Sequence, residues 1–333
     1  MHFLRQFFST PIWFCGLMLA GLCAGQPAQA QSVSKPALSK AISSMAALIE
    51  TNYVFPAKGR AIAAHLRQQH RRGHFNGVRS WQSFDSLATR TLQQFSHDGH
   101  LYVRFDPAMV RELSAPSPDQ AAASSDEDPF HYGADAVTRN FGFEQVQVLA
   151  GNLGYIRLSE INISEKSLPV LYAAMTLVAN TRALIIDLRD NHGGGSPVGA
   201  VLESYFLPKD TPLLDMKLRT ESHVSKTVAW LTQPKYDKPL YILTNKVTFS
   251  AAEAFAYSMQ AQKRAKVVGQ ASGGGAHMNS WYPINEQIYL SVSTGAPTLP
   301  GTDNTWEIKG VQPDFVVEAG QELEFIRKQV LQQ

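Results

Sequence analysis

A serine, a run of glycines, a few histidines and one glutamate are the residues of this chain whose types and spacing could do chemistry. Ser250 sits in "TNKVTFSAAEAFAY", where the hydrophobic run Leu240 to Leu243 has just ended and a helical pattern begins. Glu253 follows three places on, which is the Ser-x-x-Glu pattern of a helix capping box. The same position, a serine between strand and helix, also suits a nucleophile. There the free N–H groups and positive field of a helix start favour a developing negative charge, and Ala251 N–H could serve as an oxyanion donor. A hydroxyl is unreactive without a base, and the candidate bases are His97 and His100, with His192 and His277 in glycine-rich loops as alternates. His97 and His100 have the His-x-x-His spacing of metal ligands, but no third ligand follows by pattern, and a solvated turn accounts for "HDGHL" equally well. "NHGGG", Asn191 to Gly195, lets backbone N–H groups approach a ligand closely. Those donors suit an oxyanion, a phosphate or a plain tight turn, although neither Gly-x-x-x-x-Gly-Lys-Ser/Thr nor Gly-x-Gly-x-x-Gly is present here. Glu307, in "NTWEIKGVQPDFVV", either orients a histidine or pairs with Lys309 at the surface.

The elements that must position these residues can be read from periodicity. Apolar residues at helical spacing in "LSKAISSMAALIETNYVF", "GRAIAAHLRQQHRR" and "SWQSFDSLATRTLQQFS" predict a small N-terminal helical domain over 31–105. "ELSAPSPDQAAASSDEDP" reads as linker or exposed loop, within a connecting segment 106–142. From 143 to 333 strands alternate with helices. "LGYIRLSEI", "RALIIDLRD", "LYILTN" and "AKVVGQ" read as strands. "EKSLPVLYAAMTLVAN", "SPVGAVLESYFL" and "SAAEAFAYSMQAQ" read as the helices between them. This order predicts an α/β domain of βαβ crossovers around a mainly parallel sheet. "NSWYPI" and "QIYLSVST" predict a β-hairpin, and "QELEFIRKQVLQQ" a closing helix. Ligands of such sheets sit beyond the carboxyl ends of the strands, which is where the "DNHGGG" loop and the Ser250 loop leave them.

Composition narrows the partners. Over 333 residues, Lys plus Arg exceeds Asp plus Glu by 30 − 28 = 2, with no long basic run, so a nucleic-acid surface is not expected. Residues 1–30 read as a secretory signal: Arg5, a short apolar run, and Ala28-Gln29-Ala30 as a cleavage site. Export to a periplasm or the exterior is therefore expected, with no stable membrane span after cleavage. Both cysteines, Cys15 and Cys23, fall inside that leader. The mature chain then has no disulfide, thiolate zinc site or cysteine nucleophile. No metal or cofactor is expected.

Taken together these segments resemble the serine peptidase superfamily of C-terminal-processing (tail-specific) proteases, the tricorn core protease and interphotoreceptor retinoid-binding protein. "IIDLRDNHGGG" looks like its Asp-Leu-Arg-x-Asn-x-Gly-Gly segment, "TFSAAEAFAY" its nucleophile segment, "VVGQASGGGAH" the glycine-rich segment after it, and "WEIKGVQPD" its closing segment. "NYVFP" and "DGHLYV" resemble the retinoid-binding-protein-like branch, which lacks a PDZ module. The resemblance implies a crotonase-like (ClpP/crotonase) βαβ core and acyl-enzyme hydrolysis of peptides or unfolded protein. It implies Ser250 as nucleophile, His100 as base, Glu307 in support, and Gly193, Gly194 and Ala251 around the oxyanion. Tail-specific members carry their lysine base where this chain has Gly275, so a serine-lysine dyad is not expected. Tricorn-like members place a supporting serine where Gly99 stands. The alternative is a non-catalytic protein holding retinoid- or fatty-acid-like ligands on the same scaffold.

Overall fold

The computed structural model describes residues 33–114 and 129–332. The expected leader and its cleavage site lie outside these residues, as does most of the expected linker. Among the described residues no helix is long and apolar enough to cross a membrane.

The chain opens with α1 (Lys35–Asn52), α2 (Pro56–Arg71) and α3 (Trp81–Ser96), the helices that the apolar spacing predicts. Ser34 caps α1 and Ser80 caps α3, each hydroxyl accepting a backbone N–H three residues on. α3 stops at His97, which takes the left-handed conformation at φ 53°. The chain then turns into β1 (Tyr102–Phe105), and the 106–142 segment contains α4 (Pro107–Ser114), α5 (Pro129–Tyr132) and α6 (Ala134–Thr138).

Next come β2 (Phe143–Leu149), β3 (Leu153–Leu158), β4 (Ile161–Asn162), α7 (Leu168–Val178), β5 (Ala183–Asp187), β6 (Gly194–Gly195) and α8 (Val201–Ser204). They are followed by β7 (Pro212–Leu218), β8 (Ser222–Lys226), β9 (Leu240–Thr244), α9 (Ala251–Ala261) and β10 (Ala265–Gly269). β11 (Met278–Pro283), β12 (Ile288–Thr298), β13 (Phe315–Val316) and α10 (Glu322–Leu331) complete the chain.

One sheet has the order β13-β10-β9-β5-β3-β2, parallel throughout except for β2. Its central strands β5 and β9 are buried along their whole length, as their unbroken apolar runs require. Two departures from the sequence reading stand out. "SPVGAVLESYFL" makes only the single helical turn α8, because Gly199 at φ 85° precedes it and Pro208 cannot continue it. The β7–β8 hairpin escapes sequence reading because β8 is largely solvent-exposed and carries almost no apolar signal.

A second, antiparallel sheet has the order β1-β12-β7-β8, with β11 also on β12 as the predicted hairpin. β1 pairs along β12 with Val103 opposite Leu290. Ile288, Leu290 and Val292 of β12 share one hydrophobic cluster with Met45, Ile49, Leu66, Phe84 and Leu92 of the three N-terminal helices. This pairing fixes the turn between α3 and β1, and so the place of His100.

Candidate active site

Ser250 opens α9, but its backbone is not that of an ordinary capping serine. An N-cap residue normally has extended φ/ψ. Ser250 has φ 55° and ψ −122°, a sparsely populated region that costs on the order of 1–3 kcal/mol and persists only where its surroundings hold it. Three contacts do so. Glu253 Oε2 accepts Ser250 N–H at 2.8 Å. Phe249 N–H donates to Asn191 O at 2.9 Å. Gly193 lies so close that a Cβ there would stand 2.6 Å from Ser250 Cβ, which requires glycine. The result is a strand–turn–helix elbow that presents a serine hydroxyl outward.

His100 meets that hydroxyl across 150 residues of sequence, with Nε2 3.1 Å from Ser250 Oγ. Burial pushes the His100 pKa down to about 4, against the charge of Asp98, which raises it, and with that of His277, which lowers it further. The ring is therefore neutral near pH 7 and able to accept a proton. For Ser250 to donate, the ring proton must sit on Nδ1, and among the described residues no group bonds that atom. The ring is oriented by other means. Asp98 Oδ1 accepts His100 N–H at 2.9 Å, Ser291 Oγ donates to His100 O at 2.6 Å, and the Phe249 ring stacks on the imidazole at 4.8 Å between centroids.

Asp98, which the sequence reading passed over inside "HDGHL", is the hub behind His100. It is fully buried, and its Oδ2 accepts Tyr53 Oη–H at 2.7 Å and a bond with His277 Nδ1 at 2.8 Å. Burial alone would raise its pKa, but the bonds and charge of His277 together with Tyr53 outweigh this and hold it well below the carboxylate range. His277 moves the opposite way: burial disfavours its charged form, yet Asp98 and Glu307 raise its pKa. Glu307 does not touch His100. Its Oε2 accepts the N–H groups of Ala276 and His277 at 2.6 and 3.2 Å, and its Oε1 lies 3.5 Å from His277 Nδ1. Glu307 thus reaches His100 only through His277 and Asp98, and its bonds go to this loop and not to Lys309. "NYVFP" supplies the remaining wall, with the Tyr53 and Phe55 rings edge-on to His277. Asp98, His277 and Glu307 bring ligand atoms within 4.8 Å of one another, the spacing of a metal site. Their hydrogen bonds read more simply as His277 Nδ1–H donated to Asp98, with Glu307 close by.

The glycine loop supplies donors unequally. Asn191 is buried, with Nδ2 bonded to Leu158 O at 2.8 Å and Oδ1 accepting Gly193 N–H at 2.8 Å. Gly193 N–H is therefore spent inside the loop, which corrects the expectation that it faces an oxyanion. Gly194 is placed differently. β4 donates to the carbonyls of Gly193 and Gly195, so in this parallel pairing Gly194 turns its own N–H away from β4. Gly194 and Ser250 line the same cleft of about 520 Å³, together with His100, His192, Phe249 and Trp281. Ala251 N–H, in the first turn of α9, is the second candidate donor.

Glu253 is the other residue that sequence reading undervalued. Beyond Ser250 N–H, its buried carboxylate accepts Ser272 Oγ–H at 2.5 Å, Gly274 N–H at 2.7 Å and Gly275 N–H at 2.9 Å. It ties the glycine-rich loop to the elbow, and that loop cradles Phe249. A Cβ at Gly99, Gly273 or Gly275 would stand 2.9, 2.8 or 2.0 Å from the Phe249 ring. A side chain at 275, where a lysine base would stand, has no volume to occupy. A hydroxymethyl group at 99 meets the same ring. Gly275→Ala is accordingly expected to destabilise the fold by about 1–3 kcal/mol, the usual cost of overpacking. In urea unfolding, adding Phe249→Ala to that variant should restore part of the loss.

Comparison with known proteins agrees with this architecture. Residues 152–317 match the model of peptidase family S41, and residues 28–134 match the N-terminal domain of that family in eukaryotic IRBP. A carboxy-terminal-processing protease from Bartonella bacilliformis is 29% identical over 174 residues, 50% of this chain and 39% of that protein. The chain thus spans well under two-thirds of the length of the curated relatives it matches. Among solved structures, a lipoprotein from Streptococcus agalactiae superposes with a TM-score of 0.60 at 16% identity, covering 90% of this chain and 98% of that one. The photosystem II D1 C-terminal processing protease superposes with a TM-score of 0.52 at 14% identity, covering 89% and 97%.

Proposed function

As the chain belongs to peptidase family S41, whose members are serine peptidases, we propose that it hydrolyses peptides or unfolded protein through an acyl-enzyme on Ser250. The observation that carries this reading is the 3.1 Å approach of His100 Nε2 to Ser250 Oγ, on an elbow strained in the manner of a nucleophile. Ser250 Oγ attacks the scissile carbonyl carbon while its proton passes to His100 Nε2. The oxygen of the tetrahedral intermediate lies between Gly194 N–H and Ala251 N–H. His100 returns the proton to the leaving amine as the C–N bond breaks. Water then attacks the ester as its proton passes to His100, and His100 returns that proton to Ser250 Oγ as the C–O bond breaks and the acid leaves. Asp98 stabilises the imidazolium by its charge, and Glu307 acts at one remove by holding His277 against Asp98. The parallel sheet with its crossovers supports a crotonase-like core, and the secretory pattern read in residues 1–30 supports action in a periplasm or outside the cell.

Labelling by a serine-reactive fluorophosphonate tests the proposal. Wild type is expected to label, and Ser250→Ala to lose the label and all cleavage of unstructured peptides. Saturable binding of retinoid or fatty acid by an unlabelled wild-type protein would instead make it a carrier.

A further inference from the structure

A second cavity, of about 240 Å³, opens at the same junction of β6 and α9 as the cleft but is lined by the neighbouring residues, Gly195 and Ala251. Its walls are mainly aliphatic and aromatic, with Ile161, Leu214, Met216 and Phe255 among them, and Ser196, Ser225 and Ser258 add hydroxyls. One carboxylate, that of Glu203 on α8, joins this lining. Burial pushes the Glu203 pKa up to about 7, against a hydrogen bond from its own backbone N–H, which lowers it. Among these walls Glu203 is the one group that carries a charge to offer a ligand.

The geometry of acyl transfer says what reaches this cavity. With the carbonyl oxygen between Gly194 N–H and Ala251 N–H, the α-carbon on the acyl side is one bond from that carbonyl. Its side chain must leave beside those donors, where Gly195, next to Gly194, and Ala251, itself a donor, line the second cavity. Resting on the hydrolase reading above, we infer that this cavity receives the side chain on the acyl side of the cleaved bond, and that Glu203 selects lysine or arginine there. The aliphatic stem of either residue fits the apolar walls, and its cationic head meets the carboxylate. A leucine would fill the walls but offer the carboxylate no cation.

The test compares matched internally quenched peptides that differ only in lysine, arginine or leucine at that position. Wild type is expected to favour lysine and arginine over leucine by about 30-fold or more in kcat/KM, the size expected when a buried charge is paired in one case and not in the other. Glu203→Gln should collapse that ratio towards unity. Glu203→Leu should raise cleavage after leucine above wild type, a gain that misfolding cannot produce. Cleavage by a fluorophosphonate-reactive wild type with leucine preferred overturns the assignment of Glu203 and leaves the hydrolase standing. So does an unchanged ratio in Glu203→Gln. A wild type that neither labels nor cleaves overturns both.

Discussion

His100→Ala is expected to lower kcat/KM for peptide cleavage by about 10⁴-fold or more, the scale seen when one member of a nucleophile–base unit is removed. The effect is large because the elbow alone leaves Ser250 an ordinary alcohol. The pH dependence separates this from a merely structural loss. The kcat/KM profile reports free-enzyme groups, and His100 must be neutral to act as base. With burial holding its pKa near 4, activity should persist as pH falls below the usual histidine value and decline only as pH passes through about 4. An acid limb at pH 6.5 or above, or a His100→Ala enzyme within tenfold of wild type, would exclude His100 as the base. The same shift bears on stability with a definite sign. Between about pH 6.5 and 4 the unfolded chain takes up a proton that folded His100 refuses, so stability falls with pH across that window. The loss is on the order of 3 kcal/mol.

Much of this site was legible in the sequence, and the reason is local. The places of Ser250, Gly194 and Ala251 follow from backbone geometry that short motifs encode: a strand end, a turn with glycine, a helix start. His100 and Glu307 could be named only through the resemblance, because their partners lie far away in the chain. What sequence alone could not show is how His100 is held. The resemblance points to a serine at position 99, and Gly99 looked like a defect. In three dimensions Gly99 makes room for Phe249, whose ring lies in a cradle with Gly273 and Gly275 and stacks on the imidazole. Packing against an aromatic ring has no spacing signature, so these glycines read as loop. Gly193 misled in the opposite direction. Its type suited an oxyanion donor, but Asn191 had already taken its N–H. The fold divides similarly, since buried strands such as "ALIID" announce themselves while the exposed β8 does not.

Asp98→Asn carries the second large effect, because this carboxylate answers donors on both sides. Oδ2 accepts from Tyr53 and His277, and Oδ1 from His100 N–H. An amide has one carbonyl oxygen. If that oxygen faces Tyr53 and His277, its NH₂ group meets His100 N–H; if it turns round, the NH₂ group meets Tyr53 and His277. Either orientation leaves a buried donor facing another, at His100 N–H or at His277 Nδ1–H, and removes the negative charge beside His277. Breaking a buried charge pair from one side typically costs about 3–5 kcal/mol, and urea unfolding at pH 7 should show a loss of that size. Catalysis suffers through a different route. Asp98 raises the pKa of His100, so its neutralisation makes the ring a weaker base and leaves the transition-state imidazolium without its nearest anion. A fall in kcat/KM of about 10²–10³-fold is expected, smaller than for His100→Ala because the base itself remains. The acid limb should also move to lower pH, a displacement that simple loss of folded protein cannot mimic. If the limb stays in place while activity falls, Asp98 acts on the position of His100 alone, and its charge has no part in the reaction.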